Sequence, residues 1–212
     1  MKWMSQVLVS FAALLAVTSA HAVDRDALIK QLEAKYADVG SMQADFTQTV
    51  KSELFGEETQ SGQLKVKRPK MMRWSFGDDK LFVTDGTTMW IYTKADQQVI
   101  RYDDISGTSS ATDSLLQSLD KLDELFDVKL LASSDEGHEL ELAPKNVEDS
   151  QFKMVKLVLD TALLVKTVGI TDQFDNVTDL SFTAVRLGEP MADDQFSFDV
   201  PDGVEVISAT TN

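Results

Sequence analysis

The 212-residue sequence carries 35 acidic against 20 basic side chains, a formal charge of −15, with two histidines and no cysteine. That composition excludes disulfides and the lipidated cysteine of a bacterial lipoprotein, and it leaves too few soft donors for a zinc site. A surface this acidic also repels nucleic acid and anionic lipid head groups.

In chain order, residues 1–22 read as an export signal. Lys2 lies near the terminus, an apolar stretch runs from Val7 to Val17, and Ala20-His21-Ala22 supplies a small-x-small cleavage signal. The apolar stretch is shorter than the ~20 residues a spanning helix needs, so a released, soluble chain covering 23–212 is expected, folded as one domain. A helix follows, with Asp24 as N-cap, Leu28, Leu32, Tyr36 and Val39 at helical spacing, and Gly40 as the C′ glycine. From Ser41 the period changes to two: Met42, Ala44 and Phe46 alternate with Gln43, Asp45 and Thr47. A polar turn is expected at 56–61, then strands at 64–67, 72–76, 81–83, 89–92 and 99–102, with turns at Gly77-Asp78-Asp79 and Asp85-Gly86. A Gly/Ser/Thr loop at 106–112 leads to a helix over 114–122 that places Leu115, Leu116, Leu119 and Leu122 on one face. Strands resume at 128–131, 138–142, 152–159, 163–170 and 177–187, and a short pair is expected at 196–198 and 204–207.

The fold class is therefore mainly β (α+β): an antiparallel sheet of about ten or more strands, too large to stay flat, which twist makes curl or close. Two amphipathic helices are available to cover its inner face. Pattern alone leaves open whether they plug an ordinary core or cover a ligand cavity.

One residue breaks the pattern. Leu64, Val66 and Arg68 alternate with Gln63, Lys65 and Lys67, so Arg68 falls on the aliphatic face, where a charge needs a partner. Pro69 then interrupts the run, and Met72, Trp74 and Phe76 resume it with a large apolar face. Reactive chemistry finds little support. A nucleophilic triad needs a histidine, and beyond the leader only His138 is present, at a strand start where a surface position is expected. No phosphate-cradling glycine loop or EF-hand occurs, and no catalytic residue, metal ligand or cofactor is assigned. A two-carboxylate hydrolase stays as a rival reading, although acidic doublets such as Asp103-Asp104 and Asp193-Asp194 read as solvated loops.

Four segments in this order, "MQADFTQTV", "GQLKVKRPKMMRW", "FVTDGTTMWIY" and "FSFDVPDGVEV", resemble the LolA family of periplasmic carriers of outer-membrane lipoproteins. The resemblance spans nearly all of the mature chain. It implies an incomplete antiparallel β-barrel with a helical lid over its concave face, located in the periplasm, monomeric and without cofactor. Its partners would be acylated lipoproteins, an ATP-driven lipoprotein-release transporter in the inner membrane and a lipoprotein acceptor on the outer membrane. The resemblance makes Arg68 a latch that hydrogen-bonds to the lid, its charge met by backbone carbonyls; an arginine reaching to water is the alternative. Leu64, Val66, Met72, Trp74, Phe76 and Trp90 become candidates for an acyl-chain cavity, with the two tryptophans equally able to fill core, and Leu115, Leu116, Leu119 and Leu122 candidates for the lid. Met72 departs from the family pattern, in which an aromatic often stands there. A related lipid-binding or lipoprotein-binding module with different cargo, or a sensing role, is the second reading.

Overall fold

The computed structural model describes residues 23–54, 56–105, 110–148 and 150–209. The expected leader, 1–22, and most of the expected 106–112 loop lie outside the described residues. Helix α1, Arg25–Ala37, starts as expected: the Asp24 carboxylate accepts hydrogen bonds from the N–H groups of Asp26 and Ala27, satisfying donors that the first turn leaves free. Its other end differs, because Asp38 is the C-cap and Gly40 lies beyond it with an ordinary φ, handing the chain directly to the first strand at Ser41.

β1 (Ser41–Ser52) and β2 (Gly56–Lys67) form one long hairpin, so residues 56–61 are strand and not the expected turn. Cross-strand hydroxyl pairs explain this: Thr47 meets Ser61 and Thr49 meets Thr59, each at 3.0 Å, extending the ladder through a wholly polar stretch. β3 (Met71–Phe76), β4 (Lys80–Asp85), β5 (Met89–Thr93) and β6 (Gln98–Tyr102) continue the meander. The expected 114–122 helix is two short ones, α2 (Ala111–Gln117) and α3 (Leu122–Leu125). Serine and aspartate at 113, 114, 118 and 120 are weak helix interior residues, and the intervening turn lets Leu119 and Leu122 both reach the core.

β7 (Phe126–Ser134), β8 (Gly137–Pro144), β9 (Phe152–Leu159), β10 (Val165–Asp172) and β11 (Val177–Leu187) complete the antiparallel part. Residues 196–198 are not a strand. A 3₁₀ turn, Asp193–Phe196, drops Phe196 against the sheet, and β12 (Glu205–Ala209) then lies parallel to β6. The chain must cross a face of the sheet to travel from β11 to β6, which is why this one pair is parallel and the sheet is not wholly antiparallel.

The strands form a single 12-stranded sheet in the order β12-β6-β5-β4-β3-β2-β1-β11-β10-β9-β8-β7, whose two outer members do not pair with each other. It is an open, curled sheet, the incomplete barrel expected above. The curl is tight at Gly62, where a Cβ would lie 1.9 Å from the Ser75 carbonyl oxygen and 3.1 Å from the Phe46 ring, so only glycine lets β2 cross there.

Each face has its own core. On the inner face, Leu28, Ile29, Leu32 and Tyr36 of α1 and the leucines of the α2–α3 segment pack into one cluster with the strands. On the outer face, Leu81 and Val83 pack with Met191 and Phe196 of the crossing segment. Basic side chains of β2 and β3 stitch that segment down: Lys67 Nζ donates to the Met191 carbonyl at 2.7 Å and pairs with Asp193, while Arg73 donates to the carbonyls of Gln195 and Ser197, both at 3.3 Å. This is the work of the polar half of the β2 alternation. At the far side of α1, Arg25 donates to the Val128 carbonyl and pairs with Asp123, and Glu33 accepts from the Asp123 N–H, tying α1 to α3 and β7.

Candidate functional site

α2 lies across the inner face and shares its space with a cavity of about 520 Å³, a volume ordinary for a small-ligand pocket. Alternation on β3, β4 and β5 aims Met72, Trp74, Phe82, Met89 and Ile91 into it, and β10 and β11 close it with Ile170 and Leu180. Its wall is an aromatic cluster. Phe46 stands edge-on to Trp74 at 4.8 Å and to Phe76 at 5.1 Å, and Phe76 stands edge-on to Phe82 at 5.7 Å. The Lys80 ammonium rests on two of these rings, 4.9 Å from the Phe82 centroid and 5.9 Å from that of Phe76.

Of the six residues expected to line a cavity, Met72, Trp74 and Phe76 do so. Leu64 and Val66 face inward but lie in the closed core beneath the helices, without lining the space. Trp90 is elsewhere altogether. It pairs across from Val83 and packs on the outer face against the crossing segment, because in β4 and β5 the inner positions are Phe82, Met89 and Ile91. The lid leucines, Leu115, Leu116, Leu119 and Leu122, are all buried, and together they fill the part of the inner face that the cavity leaves. A gap of about 10 Å³ beside Leu116 and Arg68 is at the lower limit for a water molecule.

Polar contacts fasten α2 and the turn after it at two places. Arg68 Nη2 donates to the Gln117 carbonyl at 3.2 Å and pairs with Asp120 at 2.9 Å, in a half-buried setting. One carbonyl and one carboxylate meet the charge, where carbonyls alone were expected. Gln117 is also gripped through its side chain: its Oε1 accepts from the Lys70 N–H at 3.1 Å, and its Nε2 lies 3.3 Å from the Met72 sulfur. At the other end Trp74 Nε1 donates to Asp113 Oδ1 at 2.9 Å. Asp113 closes a capping box with Ser110, each side chain accepting from the other's backbone N–H. Burial pushes the Asp113 carboxyl above the usual carboxylate range, while the bonds from Trp74 and Ser110 pull it back. Sequence reasoning missed Asp113, Gln117, Asp120 and Phe82. The Ser110-x-x-Asp113 spacing was a readable capping signal; Phe82 was hidden because Leu81 and Val83 flank it, and three apolar residues in a row name no inner face.

A sheet that encloses an apolar hollow under a fastened helical cover is paired with a clear sequence match. The profile of the family described as "Outer membrane lipoprotein carrier protein LolA" matches residues 37–199. The chain belongs to the LolA family. An outer-membrane lipoprotein carrier protein of Hahella chejuensis is 35% identical over 208 residues, covering 94% of this chain and 96% of the relative. One from Cupriavidus necator is 32% identical over 211 residues, covering 96% and 98% respectively. Among solved structures, an uncharacterized conserved protein from Thermus thermophilus shares the fold, with a TM-score of 0.54 at 13% identity, over 87% of this chain and 100% of that one. The segments that carry the LolA resemblance lie on β1, on β2 with β3, on β4 with β5, and on the crossing segment, so the family pattern is the pattern of the sheet and its outer-face strap.

Proposed function

We propose that this LolA-family chain is a periplasmic carrier that shields the acyl chains of lipoproteins released from the inner membrane and delivers them to the outer membrane. The observation that carries the reading is the aromatic-walled cavity lying alongside a cover whose leucines occupy the rest of the same apolar face. The names of the Hahella and Cupriavidus relatives point to the same cargo. In this reading residues 1–22 direct export and are removed. The chain acts by stoichiometric binding, not turnover.

The energies fit a carrier. Each methylene kept from water contributes roughly 0.8 kcal/mol, so one chain of about sixteen carbons needs roughly 12 kcal/mol of shelter and cannot cross water unaided. Burying each of the four lid leucines is worth about 1.5–3 kcal/mol, so the lid covers itself with a stabilisation on the order of 6 to 12 kcal/mol. The two are of one size. Leucines and acyl chains therefore compete for one surface on nearly equal terms, and several chains displace what one does not. Arg68 and Asp113 set how readily the lid leaves, so Arg68 acts as a latch and Asp113 as its counterpart at the other end of α2. Loading falls to an ATP-driven transporter in the inner membrane and unloading to an acceptor on the outer membrane, whose binding of the lipid exceeds the lid's own claim.

The test is to incubate the purified mature chain, 23–212, with spheroplasts. Lipoproteins recovered from the supernatant in a soluble one-to-one complex support the proposal. Supernatants no richer in lipoprotein than those from untreated spheroplasts refute it.

A further inference from the structure

Lys80 is the only basic side chain among the described residues that line the cavity, and it is an unusual one to place there. The ammonium sits on the faces of Phe76 and Phe82 and, among the described residues, not on a carboxylate. Among the described residues three acidic groups line the same space, each bonded to neutral donors and not to Lys80. Asp113 holds Trp74 and Ser110, Asp172 accepts from Phe174 and Asn176 within its own turn, and Glu58 accepts from Gln60. Register fixes where the charge stands: Lys80 lies opposite Phe76 at one end of the β3–β4 pair, while Met72, four residues back along β3, touches Gln117 of the lid. The cavity thus places the Lys80 ammonium at the Phe76 end of the β3–β4 pair, away from the lid end, where Met72 and Trp74 stand beside Gln117 and Asp113.

Its size is as informative as its polarity. At about 520 Å³ the cavity has the volume of an ordinary small-ligand site, a scale that suits one acyl chain and not several. More chains would need the surface that Leu115, Leu116, Leu119 and Leu122 occupy.

We propose that, with the lid in place, this cavity binds one single-chain acyl ligand whose terminal carbonyl or carboxylate oxygen is received by the Lys80 ammonium. The tail runs past Phe82, Ile91 and Met89 toward Trp74. The inference rests on the carrier reading and adds to it a ligand class, single-tailed acyl amphiphiles, and a head-group selector. The two aromatic rings already hold the ammonium over the cavity wall, so less lysine side-chain freedom is lost when the ligand arrives.

The experiment is calorimetric titration of the folded mature chain below the micellar concentration of each probe: palmitate, palmitamide and hexadecyltrimethylammonium, with the wild-type chain and with Lys80→Gln and Lys80→Arg. Palmitate is expected to bind one to one. Lys80→Gln should weaken it about tenfold or more, Lys80→Arg should retain it, and the cationic probe should bind the Gln variant no worse than wild type. Loss confined to palmitate identifies free fatty acids as the matching source, whereas parallel loss of palmitamide identifies any acyl carbonyl, including that of an acylated protein. Equal palmitate binding by wild type and Lys80→Gln overturns the proposal, as does a stoichiometry above one. If palmitate fails to bind while the spheroplast assay succeeds, this inference fails and the carrier reading stands; if both fail, both fall. Unchanged circular dichroism and melting of Lys80→Gln secure the comparison, since Lys80 is a partly exposed strand residue.

Discussion

Replacing Arg68 with leucine removes the proposed latch while keeping an apolar side chain in its place. Two contacts vanish, the bond to the Gln117 carbonyl at 3.2 Å and the pair with Asp120 at 2.9 Å. The side chains of Arg68 and Asp120 are 25% and 18% exposed, so the pair is screened less than a surface one, and the leucine leaves a mostly buried carboxylate unpartnered. Hydrogen bonds to charged groups are worth about 1.5–3 kcal/mol, which corresponds to roughly a 10- to 150-fold shift of the lid toward its open form. Hydrogen exchange of the amides at 111–122 reads that shift directly. Exchange there should speed up by about that factor while β8 to β10 keep their protection, and Arg68→Lys should fall between, because both contacts come from one nitrogen, Nη2, which the ammonium of a shorter, more strongly hydrated side chain replaces only in part. Pairing Arg68→Leu with Asp120→Asn should give less than the sum of the single effects. Unchanged exchange at 111–122 in a folded Arg68→Leu chain would refute the latch.

Asp113 gives a pH signature. Its folded pKa is raised by burial, so the stability it contributes is fully present below the ordinary aspartate value and is lost as pH rises through the raised one. Asp113→Asn keeps an acceptor for Trp74 and removes the buried charge, so its melting temperature should gain on wild type as pH climbs through that range; parallel curves would contradict the assignment. Residues 23–212 hold two tryptophans, Trp74 in the cavity wall and Trp90 on the outer face, so acyl ligands should alter the fluorescence of Trp90→Phe in that span and leave that of Trp74→Phe unaltered. Gly62→Ala has no room for its methyl group and should lower stability by about 1–3 kcal/mol in chemical denaturation, with the close approach of the Ser75 carbonyl as the cause.

Much of this architecture is written in the period of the side chains. Met42, Ala44 and Phe46 mark the inner face of β1, and the 152–159 and 177–187 strands end where their apolar runs end. Polar stretches are where reading fails: residues 56–61 look like a turn because cross-strand hydroxyl pairing depends on a partner strand that the local sequence does not display. The segment after β11 fails for a similar reason, since Phe196 is apolar on account of an outer-face core contributed by Leu81 and Val83 far earlier in the chain. In the site, Arg68 is conspicuous as a charge on an oily face, but its partner Asp120 looks like any solvated acid until the turn after α2 brings it within reach. Trp90 shows the limit of composition. A large aromatic beside a cavity strand suggests lining, and only the pairing register with Val83 assigns it to the other face.

The proposed carrier cycle requires the lid leucines to give way to the acyl chains beyond the one that the cavity holds. Hydrogen exchange of the amides at 115–122, measured on the chain alone and in complex with a purified acylated lipoprotein, tests it most directly, with the same lipoprotein stripped of its acyl chains as control. Protection at 115–122 should fall only in the acylated complex. Full lid protection in a complex that has captured the acylated protein would contradict it.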